Sequence, residues 1–102
     1  MTDIRPFRNA LVERILDGDG QAPASERRAA FQNNGLAGPL GMLAGKVATR
    51  PGHITDKNIA ALTTSGLSED QLFEIIVCAS VGQATRQYEA AFAALEAATG
   101  KE

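Results

Sequence analysis

Hydrophobic residues recur at helical spacing along most of the chain, and no run alternates with the period of two that marks a strand. Ile4, Phe7, Leu11 and Ile15 predict a first helix. Pro6 is tolerated there because the first turn needs no backbone donor. Gly18 and Gly20 stop it. Ser25 is placed to cap a second helix that buries Ala29, Ala30 and Phe31 and ends at Asn33-Asn34-Gly35. Pro39 opens a third, with Leu40, Leu43 and Val47 on one face, ending before Pro51-Gly52.

The remaining chain writes a helix start twice. Ile54-Thr55-Asp56-Lys57-Asn58-Ile59 and Leu67-Ser68-Glu69-Asp70-Gln71-Leu72 share the order apolar, hydroxyl, acid, any residue, amide, apolar. The hydroxyl caps a free N–H, the acid faces the positive end of the helix dipole, and the outer apolar pair can staple the entry. Asn58 reaches less far than Gln71, which makes the first copy the weaker box. Gly66 between them is suited to a left-handed helix end. The fourth helix then runs from about Asp56 to Ser65 and the fifth from Glu69 to about Thr99. The expected fold is all-α, a single domain of about five helices built on a short helix, a tight corner and a long C-terminal helix.

That fifth helix would reach about 45 Å at 1.5 Å per residue, longer than four short helices can cover. Its apolar positions form a wide stripe from Leu72 to Leu95, with Ala79, Ser80, Gly82 and Ala84 in the middle. Gly82 costs roughly 1 kcal/mol in mid-helix unless packing compensates. It therefore predicts a close helix approach, read here as a subunit contact that Gly41 and Gly45 of the third helix could receive. A chain of 102 residues buries only about two-thirds of its unfolded surface, which also favours a homo-oligomer assembled through the long helix.

Composition narrows the function classes. Hydrophobic residues make up 44% and charged residues 22%, ordinary for a soluble globular protein. Residues 1–51 carry seven basic and five acidic side chains, and residues 52–102 carry three and seven. Basic residues are scattered and aromatics are only 5%, so no nucleic-acid footprint stands out. The start, Met1-Thr2-Asp3-Ile4-Arg5-Pro6, lacks the apolar run of a signal peptide. No stretch approaches the roughly 20 apolar residues of a membrane span. A single cysteine makes a reducing cytoplasm the expected location.

Candidate chemistry is sparse. Asp17-Gly18-Asp19-Gly20 begins like a calcium loop, but its sixth position is Ala22 and its twelfth is Arg28, so it reads as a turn. Gly45-Lys46 lacks both the earlier glycine and the following hydroxyl of a phosphate loop. No metal-ligand cluster or cofactor motif is present, and no catalytic set can be assigned. His53, the only histidine, reads as an exposed loop residue. Cys78 lies between Val77 and Ala79 in the most apolar turn, with no second thiol in the chain. It reads as a small core residue rather than a nucleophile, because reactivity requires the thiolate. Arg86 stands in a region of small and apolar residues and needs a partner: a nearby carboxylate such as Glu74 or Glu89, a subunit interface, or an anionic ligand.

These residues carry a resemblance. Ile54-Thr55-Asp56 through Ala61-Leu62, then Ser65-Gly66-Leu67-Ser68-Glu69-Asp70-Gln71-Leu72-Phe73-Glu74, resembles the C-terminal half of alkylhydroperoxidase-like proteins of the carboxymuconolactone decarboxylase superfamily. Ala44-Gly45-Lys46-Val47-Ala48-Thr49-Arg50-Pro51 is similar to the segment leading into that helix pair, and Arg86 falls where the family's arginine would lie. The match covers about residues 40–95; residues 1–39 carry no placed motif. The resemblance implies a helical fold and homo-oligomers. It does not carry over thiol-peroxidase chemistry, because the family's Cys-x-x-Cys pair with its histidine and glutamate is missing, and a peroxidatic thiol needs a second thiol to resolve it.

Three functional readings follow. The first is a non-redox, homo-oligomeric binding or scaffold protein that holds a small ligand or partner protein at the subunit junction near Arg86, with Tyr88, Glu74, Gly82 and His53 as the other candidate positions. The second is an enzyme with a reduced site, using Arg86, Glu74, Tyr88 or His53 on a small anionic substrate. It requires a pocket that unites at least two of them. The third is a subunit of a complex whose catalytic half lies on another chain.

Overall fold

The computed structural model describes residues 4–100; Met1–Asp3, read above for a signal sequence, and residues 101–102 lie outside the described part. Five α-helices follow one another: α1 Arg5–Asp17, α2 Ala24–Gln32, α3 Gly38–Thr49, α4 Asp56–Thr64 and α5 Glu69–Thr99, with a 3-10 turn over Pro51–His53. The fold is all-α, and among the described residues there is no strand. No helix among them is long and apolar enough to cross a membrane.

Local chemistry sets the boundaries. Thr55 Oγ1 accepts from Asn58 N at 3.3 Å while Asn58 Oδ1 accepts from Thr55 N at 2.9 Å. Ser68 Oγ accepts from Gln71 N at 3.1 Å while Gln71 Oε1 accepts from Ser68 N at 2.8 Å. Both starts are thus closed capping boxes. The corner between them is a Schellman turn. Gly66 takes φ +108, its N–H donates to Thr63 O, and Leu67 N donates to Leu62 O. Helix α2 ends the same way with Asn33 in the left-handed region at φ 52, and Asn33 N and Asn34 N take the carbonyls of Ala30 and Ala29.

Two apolar clusters fill the interior, both against the first half of α5. One joins Leu16, Ala22, Ala30, Ala44, Ile75, Cys78 and Ala79; the other joins Leu43, Leu62 and Leu72. The last buried residue of α5 is Gly82, and the helix continues to Thr99. The molecule is accordingly elongated, 52 Å in its longest dimension.

One sequence expectation changes, and the buried side of α1 is settled by the structure. Helix α2 is not capped by Ser25. Pro23 occupies the N-cap position without a side-chain bond, and the backbone donors just before it are met from α5, as described below. In α1 the buried side is Leu16 with Val12 and Ile15 packed beside it. Ile4, Phe7 and Leu11 instead remain 46%, 75% and 51% exposed. Both stripes have helical spacing, and only α2 and α5 are present to cover one side of α1.

Candidate functional site

A groove lies between α1 and α5, floored by the loop between α1 and α2, with a volume near 750 Å³. Leu11 and Phe73 form its apolar rim, and Val77, Arg14, Asp70 and Glu74 also line it. Phe73 is 67% exposed. Helices α1 and α5 run antiparallel beside it. Arg8 pairs with Glu89 at 3.3 Å near one end, and the Cys78 thiol points at Ile15 O, 3.6 Å away, near the other.

The floor is held by two charged side chains. The Glu74 carboxylate accepts from Gln21 N at 2.8 and 2.9 Å and from Ala22 N at 3.3 Å. A carboxylate on amides just before a helix start is favoured by both charge-assisted bonding and the dipole of α2. Arg27 is buried and points back from α2. It donates through Nε to Ala22 O at 3.1 Å and through Nη1 to Ile15 O at 3.1 Å and Gly18 O at 2.8 Å. One fork thus joins Ile15 O in the last turn of α1, Gly18 O just after it and Ala22 O, and closes the loop. Nothing in the run Ser25-Glu26-Arg27-Arg28 distinguishes Arg27 from a solvated helix charge. Glu74 carries a visible signal, as the lone charge within Leu72-Phe73-Glu74-Ile75-Ile76-Val77.

Cys78 is 1% exposed. Burial pushes its thiol above the ordinary range, the Arg27 guanidinium offsets part of that rise, and the Glu74 carboxylate adds to it. Reactivity requires the thiolate, so this environment quiets the sulfur.

Arg86 and Gly82 meet a neighbour within the chain. The end of α2 leaves carbonyls without helical partners; its Schellman turn uses Ala29 and Ala30, and Phe31 O remains. Arg86 Nη1 donates to that oxygen at 2.5 Å, and Nη2 donates to Gln83 Oε1 at 2.9 Å. The cation also lies at the negative end of the α2 dipole. A Cβ on Gly82 would lie 1.9 Å from the same Phe31 oxygen. The close approach predicted at Gly82 is therefore filled by α2 of the same chain, which corrects its assignment to a subunit contact. Gly41 is filled likewise, by the Leu36 carbonyl.

Tyr88 lies beneath Arg8, whose Cζ is 5.5 Å from the ring centroid, and stacks on Phe92 at 5.9 Å. His53 is exposed at the end of the 3-10 turn. Of Arg86, Glu74, Tyr88 and His53, the groove contains Glu74 alone. Glu74 and Arg86 lie twelve residues apart on one helix, about 18 Å. Among the described residues, no three His, Cys, Asp or Glu side chains converge.

Comparison with protein-family models, with curated proteins and with solved structures returns no match.

Proposed function

We propose that this chain is a small self-associating helical protein of the alkylhydroperoxidase-like type that works by binding or scaffolding and carries out no thiol-peroxidase chemistry. The supporting observation is a contrast. The polar residues available for chemistry are engaged inside the chain: Glu74 on loop amides, Arg27 on three carbonyls, Arg86 on Phe31 O. The large apolar side chains Phe73 and Leu11 stand open along the groove, and Phe7 on α1 is exposed as well. A reduced enzymatic site would need two of Arg86, Glu74, Tyr88 and His53 together, and they are dispersed. An uncovered apolar face is a binding surface.

Cys78 supplies the test. In native protein it is expected to react with a neutral disulfide reagent at least about 100-fold more slowly than in denaturant, since access requires opening of the structure. Peroxide should add no oxygen to Cys78 over the same period, read on the Cys78 peptide so that sulfoxide formation at the exposed Met42 is set apart. The labelling rate should climb with pH beyond the ordinary thiol pKa of about 8.5, because the folded thiol holds its proton longer. The same shift fixes the sign for stability. Below that pH both states are protonated and Cys78 has no effect; above it the unfolded chain ionises first and stability falls. Rapid oxidation of Cys78 in the native protein would defeat the non-redox reading.

A further inference from the structure

We infer that the outer face of α5 pairs with the same face of a second copy, antiparallel, about a two-fold axis at Ala84. The inference rests on the reading above that the chain self-associates, and it specifies the surface and the register.

At 100° per residue, the buried residues Leu72, Ile75, Cys78, Ala79 and Gly82 occupy one side of α5. On the opposite side runs a second line: Phe73, Val77, Ser80, Ala84, Tyr88, Ala91 and Leu95. Phe73 is 67% and Leu95 50% exposed; Ser80, Ala84 and Ala91 are also exposed, and Val77 and Tyr88 are half-buried. The steps along this line are 4-3-4 and again 4-3-4. An 11-residue repeat stays close to the period of a straight helix, so the line runs nearly parallel to the axis and suits a long, shallow crossing.

Its spacing reads the same in both directions. Phe73 and Leu95 lie eleven residues either side of Ala84, Val77 and Ala91 seven, and Ser80 and Tyr88 four. In an antiparallel pair centred on Ala84, Phe73 meets Leu95 of the second copy, Val77 meets Ala91, Ser80 meets Tyr88, and Ala84 meets itself. Helices crossing at a small angle are closest at the crossing and separate toward their ends. The smallest pair falls at the centre and the largest at the ends, as packing at about 8–10 Å between axes requires.

None of the seven residues of the line is charged, and the one cation that reaches it is Arg8 of α1, which lies over the Tyr88 ring. The charged residues of that span are Glu74, Arg86 and Glu89. Each is turned elsewhere, to the loop amides, the Phe31 carbonyl and Arg8. A solvated helix face ordinarily carries charge, whereas an interface core is depleted of it. The antiparallel arrangement sets the two helix dipoles head to tail. The strip is about 33 Å long and about 10 Å wide. With Leu11 flanking the Phe73 end, the pair would bury on the order of 1,000 Å² in total, the lower bound of a specific interface.

Single-cysteine bridging separates the registers, with the native protein and its buried Cys78 as control. Ala84→Cys should convert to a covalent species of twice the chain mass under mild oxidation or a short bismaleimide. Phe73→Cys alone and Leu95→Cys alone should not, since each pair of identical positions would lie about 33 Å apart. The Phe73→Cys/Leu95→Cys double variant should bridge. Circular dichroism of each variant checks that the helices persist. A parallel pair would bridge all three single variants, and a pair using another face would bridge none; either result overturns the register while leaving self-association standing. A native protein that sediments as a monomer overturns the self-association reading as well.

Discussion

Gly82→Ala is expected to lower the unfolding midpoint by about 10–20 °C, although alanine is the better helix former. The added methyl would lie 1.9 Å from Phe31 O and 2.7 Å from its carbonyl carbon. These are backbone atoms at the end of α2, so relief requires moving that helix away from α5 rather than turning a side chain. Overpacking of this kind costs about 1–3 kcal/mol or more. The propensity gain of roughly 1 kcal/mol offsets only part. Displacing α2 also lengthens the bond from Arg86 to Phe31 O, which raises the cost. With overpacking at the upper end of its range, as backbone atoms this close require, and the weakened Arg86 bond added, the net loss is about 2–3 kcal/mol, which corresponds to that midpoint shift in a domain of this size. Thermal melts at several protein concentrations provide the check. An intrachain contact gives the same decrement at every concentration, and a subunit contact gives one that shrinks as concentration rises. An unchanged midpoint would mean that α2 does not approach α5 as described.

Arg27→Ala should cost about as much or more, about 3–5 kcal/mol, because it strips a buried site of its only cation and leaves acceptors behind. Ile15 O, Gly18 O and Ala22 O all receive the guanidinium. Its loss would leave the loop held by Glu74, with a long bond from Gln71 Nε2 to Gln21 O at 3.4 Å. Arg27→Lys should recover only a minority of the stability, since an ammonium cannot reproduce the planar fork that reaches several carbonyls at once. The second readout is Cys78, which the loop covers together with α1. Native-state labelling should accelerate in Arg27→Ala even at temperatures where the far-ultraviolet spectrum is unchanged. A variant with wild-type melting and wild-type labelling would contradict the role assigned to Arg27.

The contrast between these two residues shows what a sequence can express. The helix starts at Thr55 and Ser68 and the corner at Gly66 were legible because every atom involved lies within about five residues of chain. Gly82 was half legible. Its smallness announced a close approach, but nothing in a glycine says whether α2 or another subunit fills the space. Arg27 was illegible, because its partners are backbone carbonyls in a preceding loop and carbonyls carry no residue signature. The spacing of Ile4, Phe7, Leu11 and Ile15 announced the helix α1 but not its buried side, which Val12, Ile15 and Leu16 form where α2 and α5 lie against it. Arg86 was singled out as a residue in need of a partner. That partner was an orphaned helix-end carbonyl, a consequence of the Schellman turn at Asn33 consuming the two carbonyls before it.

The most direct measurement is the mass of the native protein in solution, by sedimentation equilibrium at micromolar concentration, beside Ala84→Glu. The expected result is a species near twice the 10.7 kDa of one chain, reduced to a single chain by the Ala84→Glu charge while the helical spectrum is retained. A wild-type protein that sediments as one chain at that concentration would contradict the proposal of a self-associating binding or scaffold protein.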